Sequence, residues 1–218
     1  VAREEVYFEA GKTRVFACSL AWPGWCRRAK TEELALEALV EYAPRYAPVA
    51  KRAGVRFPAA VPTFEVVERI PWHGTKAFSP ADFGTLGSAA ARDSDPLTAA
   101  QAKRLAALVE AAWGVLDDVV ARAPAELSKG PRGGGRERDG VFDHVLGAEA
   151  SYARKLGVRH KQPHDREEIA AMRADILAAL VAARSGEPEV ESGWLPRYAA
   201  RRIAWHVLDH AWEIEDRS

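Results

Sequence analysis

The apolar positions of this chain first change period about a seventh of the way along. Up to residue 20 they alternate: Val6 and Phe8 precede a Gly-Lys turn at Gly11, and Val15, Ala17 and Ser19 follow it. Alternation about a turn predicts a β-hairpin over residues 5–20. The Trp22-Pro23-Gly24-Trp25 segment then breaks the strand. From Thr31 the period becomes helical. Thr31 is a capping residue, Glu32 and Glu33 suit a first turn, and Leu34, Ala35, Ala38, Leu39 and Tyr42 share one face. Pro44 and Pro48 are expected to end or interrupt that helix. Residues 63–70, valine-rich and alternating, predict a third strand, so residues 1–70 read as a small β-β-α-β unit.

Residues 71–96 show little periodicity and are expected to form the junction between two domains. Trp72, Phe78 and Phe83 within it are expected to pack, because exposed aromatics are costly. Four helical segments follow in residues 97–218. Thr98 and Gln101 form a capping box for the first, whose Leu105, Leu108, Val109, Ala112, Trp113, Leu116, Val119 and Val120 keep helical spacing until Pro124. The second runs over about residues 137–156. The third begins at Asp165, with Glu168 as its capping-box partner, and stops near Gly186; Pro196 opens the fourth. The expected fold class is α+β: a small N-terminal domain followed by an all-α four-helix bundle.

Composition narrows the function classes. With 218 residues, 48% hydrophobic and 28% charged, the chain has the makeup of an ordinary globular protein. Its formal charge is zero, so no basic field recommends nucleic acid or an anionic membrane. Cys18 and Cys26 are the only cysteines and are read as reduced thiols. Neither a membrane span nor a signal peptide is visible, which makes the cytoplasm the expected compartment. The excess of arginine over lysine, with abundant alanine, points to a GC-rich bacterial genome. A small-molecule substrate is the expected partner, and a homodimer is compatible with the sequence. The glycine-rich residues 129–135 lack the spacing of a phosphate-binding loop and read as a connector.

The candidate chemistry lies in the bundle. His206 and His210, four residues apart on the last helix, share the inward stripe of Ala199, Ile203 and Ile214. His144 on the second helix lies beside Val141, Val145, Ala148 and Tyr152 and also points inward. Three imidazoles meeting at one point can hold a divalent ion and leave a position free for substrate, the arrangement of a catalytic rather than a structural site. His73, His160 and His164 fall in loops or at helix ends. Glu213, three residues beyond His210, is placed to orient a ligand or accept a proton, and is the candidate catalytic carboxylate. Asp209 lies further round, solvated or paired with an arginine such as Arg202. Tyr152 and Trp113 are candidate pocket walls.

Two resemblances follow. Leu20, the Trp22-Pro23-Gly24-Trp25-Cys26 turn and the Thr31-Glu32-Glu33-Leu34-Ala35 helix start resemble the HicB-like fold over residues 4–70, which implies a partner or ligand module, or a scaffold. The Asp143-His144-Val145-Leu146-Gly147-Ala148-Glu149-Ala150 stretch and the run from Arg202 to His210 resemble the DinB-like metalloprotein superfamily over residues 97–216. That likeness implies a divalent metal, zinc or nickel, on His144, His206 and His210. It also implies group transfer or isomerisation of a small electrophile with a low-molecular-weight thiol bound as thiolate. The alternatives are a hydrolase using metal-bound water and a non-catalytic ligand-binding or regulatory protein.

Overall fold

The structure, a computed structural model, describes residues 3–59, 62–74, 79–130 and 135–218. Its elements in chain order are β1 (Arg3–Ala10), β2 (Val15–Ser19), β3 (Cys26–Ala29), α1 (Glu32–Arg52), β4 (Thr63–Pro71), α2 (Pro80–Phe83), a 3-10 turn (Ala91–Ser94), α3 (Ala99–Arg122), α4 (Arg138–Arg154), α5 (Arg166–Ala182) and α6 (Pro196–Arg217). The fold is α+β, a four-stranded sheet followed by helices. The sheet order is β3-β2-β1-β4, with β1, β2 and β3 antiparallel in turn and β4 parallel to β1. The parallel pairing needs a crossover, and α1 supplies it.

The hairpin forms where alternation places it, but the sheet has one strand more than predicted. The extra strand, β3, is the short run Cys26-Arg27-Arg28-Ala29, which has no apolar alternation to announce it. Its arginines are held by their partners. Arg27 lies over the Tyr42 ring at 3.7 Å and ion-pairs with Asp209 at 3.1 Å, the place in which the sequence offered Arg202. Arg28 donates to the carbonyls of Ala81 and Asp82. Alternation also understates the burial. Val6, Phe8, Val15 and Ala17 face a core shared with α1, while Tyr7, Phe16, Cys18 and Cys26 face a second cluster with Leu86, Ala90 and Trp205.

Thr31 caps α1 as expected, but the helix runs through both Pro44 and Pro48 to Arg52. Tertiary packing overrides the local cost of proline. Beyond Pro44, Tyr46, Val49 and Ala50 are fully buried, and the Tyr46 hydroxyl donates to the Pro23 carbonyl at 2.8 Å. The 22–25 turn is itself a plug: the Trp25 indole donates to the Leu39 carbonyl, and both tryptophan rings pack on Tyr46 and Phe57. Gly24 is required here. Its φ is +92°, and a Cβ would come within 2.8 Å of Leu208 and 3.1 Å of the Ala204 backbone on α6.

The junction is fastened mostly by polar groups rather than by its aromatics. Phe83 is 83% exposed, against expectation, Trp72 is half-buried, and Phe78 lies outside the described residues. The Asp82 carboxylate accepts from the amides of Lys12, Thr13 and Arg14 and so closes the hairpin turn. Buried Glu9 accepts from the amides of Gly87 and Ser88. These bonds hold the segment without the aromatic rings, which leaves Phe83 free to face solvent.

Four of the five long helices, α3, α4, α5 and α6, form the bundle. Thr98 and Gln101 make the expected capping box. At α5, Asp165 caps the Glu168 amide, but the Glu168 carboxylate reaches the amide of His164 instead of that of Asp165, so the reciprocal half of the predicted box is displaced by one residue. The last helix, α6, has no broad solvent face: sixteen residues of it are buried, among them Arg201, Arg202, His206 and Arg217. It packs on α3, on α4 and, through Trp205, on the sheet. No helix among the described residues is long and apolar enough to cross a membrane.

Glu9 generates a pH prediction. Burial, the largest influence, raises its carboxyl from 4.5 to about 7. Between those values the folded state keeps a proton that the unfolded chain has lost. Its contribution is therefore full below pH 4.5 and is lost as pH rises through 7. Urea melts at pH 5 and pH 8 should show wild type losing up to about 3 kcal/mol more than the Glu9→Gln variant across this interval. Equal losses would show that Glu9 does not titrate in it.

Candidate metal centre

Helical phase brings the three bundle histidines together. His144 projects from the middle of α4, and His206 and His210 project one turn apart from α6. Their ring centroids are 5.2 Å apart for His144 and His206, 4.9 Å for His144 and His210, and 4.7 Å for His206 and His210. One nitrogen from each ring lies within 4.8 Å of the others. His206 is buried and the other two are half-buried.

Second-layer contacts are directional. His210 Nδ1 lies 2.8 Å from Glu213 Oε2, and Glu213 Oε1 accepts from Arg217 at 2.9 Å. Arg217 in turn donates through Nε to the Ser128 carbonyl at 2.8 Å. This chain fixes the His210 ring and leaves its Nε2 as the donor to the cluster. Glu213 thus stands where the sequence places it, in an orienting contact. The His210 bond is the main cause holding its carboxyl below the usual range.

The electrostatics favour the neutral ring at His206 and His144. Burial, then the charges of His210, Arg202 and His144, hold His206 well below the ordinary imidazole value. Burial and His210 lower His144 in the same direction. Neutral imidazoles are the form that binds metal, and three protonated ones at this separation would repel. A tetrahedral ion with bonds of about 2.0–2.1 Å spaces its nitrogens roughly 3.4 Å apart, and the three donor atoms lie within 4.8 Å of one another. His206 Nδ1 is buried without a hydrogen-bond partner, an orphan that a bound group at the cluster would help to explain. The donor set and its geometry therefore fit a divalent ion, and the cluster could hold one.

The other predicted residues divide. Tyr152 is beside the centre, its ring 5.5 Å from that of His206 and edge-on to it. Trp113 is not brought to it. The Arg173 guanidinium lies 5.1 Å from the Trp113 ring, and Trp113 lines a cavity of about 660 Å³ with Arg52, Glu110, Asp117 and Leu177. Helical phase shows that Trp113 points inward but not toward which neighbouring helix. Cys18 and Cys26 are free, buried and opposite one another on β2 and β3, and neither belongs to the histidine cluster. His160 pairs with Asp175 at 2.8 Å.

Sequence reasoning missed the surroundings of His206. Trp194 packs on Tyr152 at 4.9 Å and on Tyr198 at 5.2 Å, and the Arg202 guanidinium lies over Tyr152 and Trp205. Arg202 did carry a signal, since it stands four residues before His206 on the same stripe. Trp194 precedes α6, outside any helical phase. No family model, curated protein or solved structure matches the chain.

Each histidine should count separately. Alanine at His144, His206 or His210 should sharply lower equilibrium zinc content, measured by elemental analysis after dialysis, while far-ultraviolet circular dichroism stays near wild type. Glu213→Gln should weaken zinc about 10- to 100-fold in a chelator competition, as loss of an orienting partner does. Full zinc content in the triple-alanine variant would remove the site.

Proposed function

We propose that this protein is a divalent-metal-dependent enzyme that carries out group transfer or isomerisation on a small electrophile, with a low-molecular-weight thiol as co-reactant. The observation that supports it best is the convergence of one imidazole from α4 with an i, i+4 pair from α6. This is the pattern through which the bundle resembles the DinB-like superfamily. Zinc is the first metal to test and nickel the second, since neutral imidazoles serve both.

When bound, a divalent ion would supply positive charge that stabilises an anionic sulfur near neutral pH. The chain's own residues do the rest. His206, in its dry surroundings, remains an unprotonated donor, and His144 is held in the same direction. Glu213 fixes His210 through Nδ1, and Arg217 fixes Glu213. Tyr152 lies edge-on against His206, the buried member of the cluster. The bundle offers no cysteine nucleophile, because both cysteines sit in the sheet. An external thiol fits that gap. The N-terminal unit serves in this reading as a scaffold that holds α6 through Trp205.

A binding or regulatory role is the second reading, and one observation favours it. A cavity of about 660 Å³ is lined by residues of α3, α5 and the end of α1, not by the histidines. Turnover of an activated electrophile by zinc-replete protein, with and without added thiol, separates the readings. Group transfer predicts a rate that needs both zinc and thiol and falls to background when any of the three histidines is alanine. A rate indifferent to thiol would favour hydrolysis, and no turnover across a broad panel would favour binding alone.

A further inference from the structure

Among the described residues four arginines are buried: Arg173, Arg201, Arg202 and Arg217. Three of them meet a carboxylate. Arg173 pairs with Glu149 and Asp117, Arg201 with Asp93, and Arg217 with Glu213. Arg202 is the exception. It is 9% exposed and has no carboxylate within ion-pair distance among the described residues. Its Nη2 donates to the Thr85 hydroxyl at 2.7 Å, and its Nη1 is buried with no partner. Glu9, whose charge reaches Arg202 from further away, is occupied by the amides of Gly87 and Ser88.

A buried cation lacking its anion is costly, and the fold has met that cost beside the histidines. Arg202 stands one helical turn before His206 and shares two walls with it. The Tyr152 ring is 5.5 Å from the His206 ring and 5.2 Å from Arg202 Cζ. The Trp205 ring is 6.2 Å from the His206 ring and 4.8 Å from Arg202 Cζ. With aromatic rings against the guanidinium, its hydrogen bonds are left to the edge of its plane. Thr85 takes one edge nitrogen and leaves the other.

We propose that Arg202 is the anion anchor of the histidine centre, binding the carboxylate of a small molecule whose other end reaches His144, His206 and His210. A planar carboxylate matches an in-plane guanidinium edge that two aromatic rings border, and it is flatter than a tetrahedral phosphate. The proposal narrows the substrate class of the preceding section and rests on that reading for the role of the histidines. It also gives the junction a task, since Thr85 holds the anchor in place. Arg202 acts by positioning substrate and touches no reacting atom.

Succinate is the probe, with succinamide as its uncharged counterpart and inorganic phosphate as the other anion. Calorimetric titrations use full-length protein, zinc-loaded and metal-free, with zinc content measured on the same samples. Wild type should bind succinate at least about tenfold more tightly than succinamide or phosphate. Arg202→Met should weaken succinate by about tenfold or more without changing zinc content, and Arg202→Lys, which keeps the charge but not the fork, should fall between. Should Arg202→Met fail to fold, the succinate-induced thermal shift of Arg202→Lys decides in its place, and a shift equal to wild type overturns the anchor. Unchanged succinate affinity in Arg202→Met, no succinate binding by wild type, or phosphate bound as tightly as succinate would each overturn it too. Succinate held through Arg202 in protein that takes up no zinc would keep the anchor and refute the metal reading. Zinc taken up without succinate binding would do the reverse.

Discussion

The structure depends on the burial of α6 on nearly all sides. A helix that faces water can leave its polar residues to the solvent, but this one has to find a partner for each of them inside the protein. Arg201 reaches Asp93 and Tyr7, Arg202 reaches Thr85, and Arg217 reaches Glu213 and Ser128. The partners come from the first strand, the junction and the loop after α3, so the polar groups of one helix recruit segments from most of the chain. His206 belongs to the same set, with its unpartnered Nδ1. The candidate site thus includes part of this requirement that the polypeptide leaves unmet.

How much was legible in the sequence follows from which residues have a phase. The three histidines have one: a spacing of four and the apolar neighbours of His144 are enough to aim all three rings at one point. Hairpin, helix caps and bundle were legible for the same reason. Cys26-Arg27-Arg28-Ala29 was not, because an edge strand whose arginines lie on aromatic rings and carbonyls leaves no alternating apolar trace. Pro44 and Pro48 misled because their cost is local, while the anchoring of Tyr46 under the Trp25 plug is tertiary. Thr85 and Trp194 lie outside the regular elements, and nothing in their own neighbourhood says that they meet α6. Trp113 shows the limit within a helix: phase distinguishes inside from outside, but a bundle interior has more than one quarter.

The same polar residue types are treated in two ways. Around Arg173, Glu149 and Asp117 the charges are matched, and a matched buried cluster serves mainly to specify packing. Around Arg202 and His206 they are unmatched, with two orphaned nitrogens on consecutive turns of one helix. Arg202 Nη1, Trp205 Nε1 and His206 Nδ1, all unpartnered and all within two turns of α6, mark a place where the fold gives up stability.

The position of His144 on α4 has a consequence for the bundle as a material. Within the bundle α4 packs chiefly on α6, with weaker contact to α3 and α5, so it is held mainly from one side. A crosslink between residues 144 and 206 would close a loop of roughly 60 residues, taking much of its freedom from the unfolded chain, as a disulfide does. An ion at the three histidines would then be a fastener in the wall of its own site, and its removal would loosen the helix that carries the third ligand.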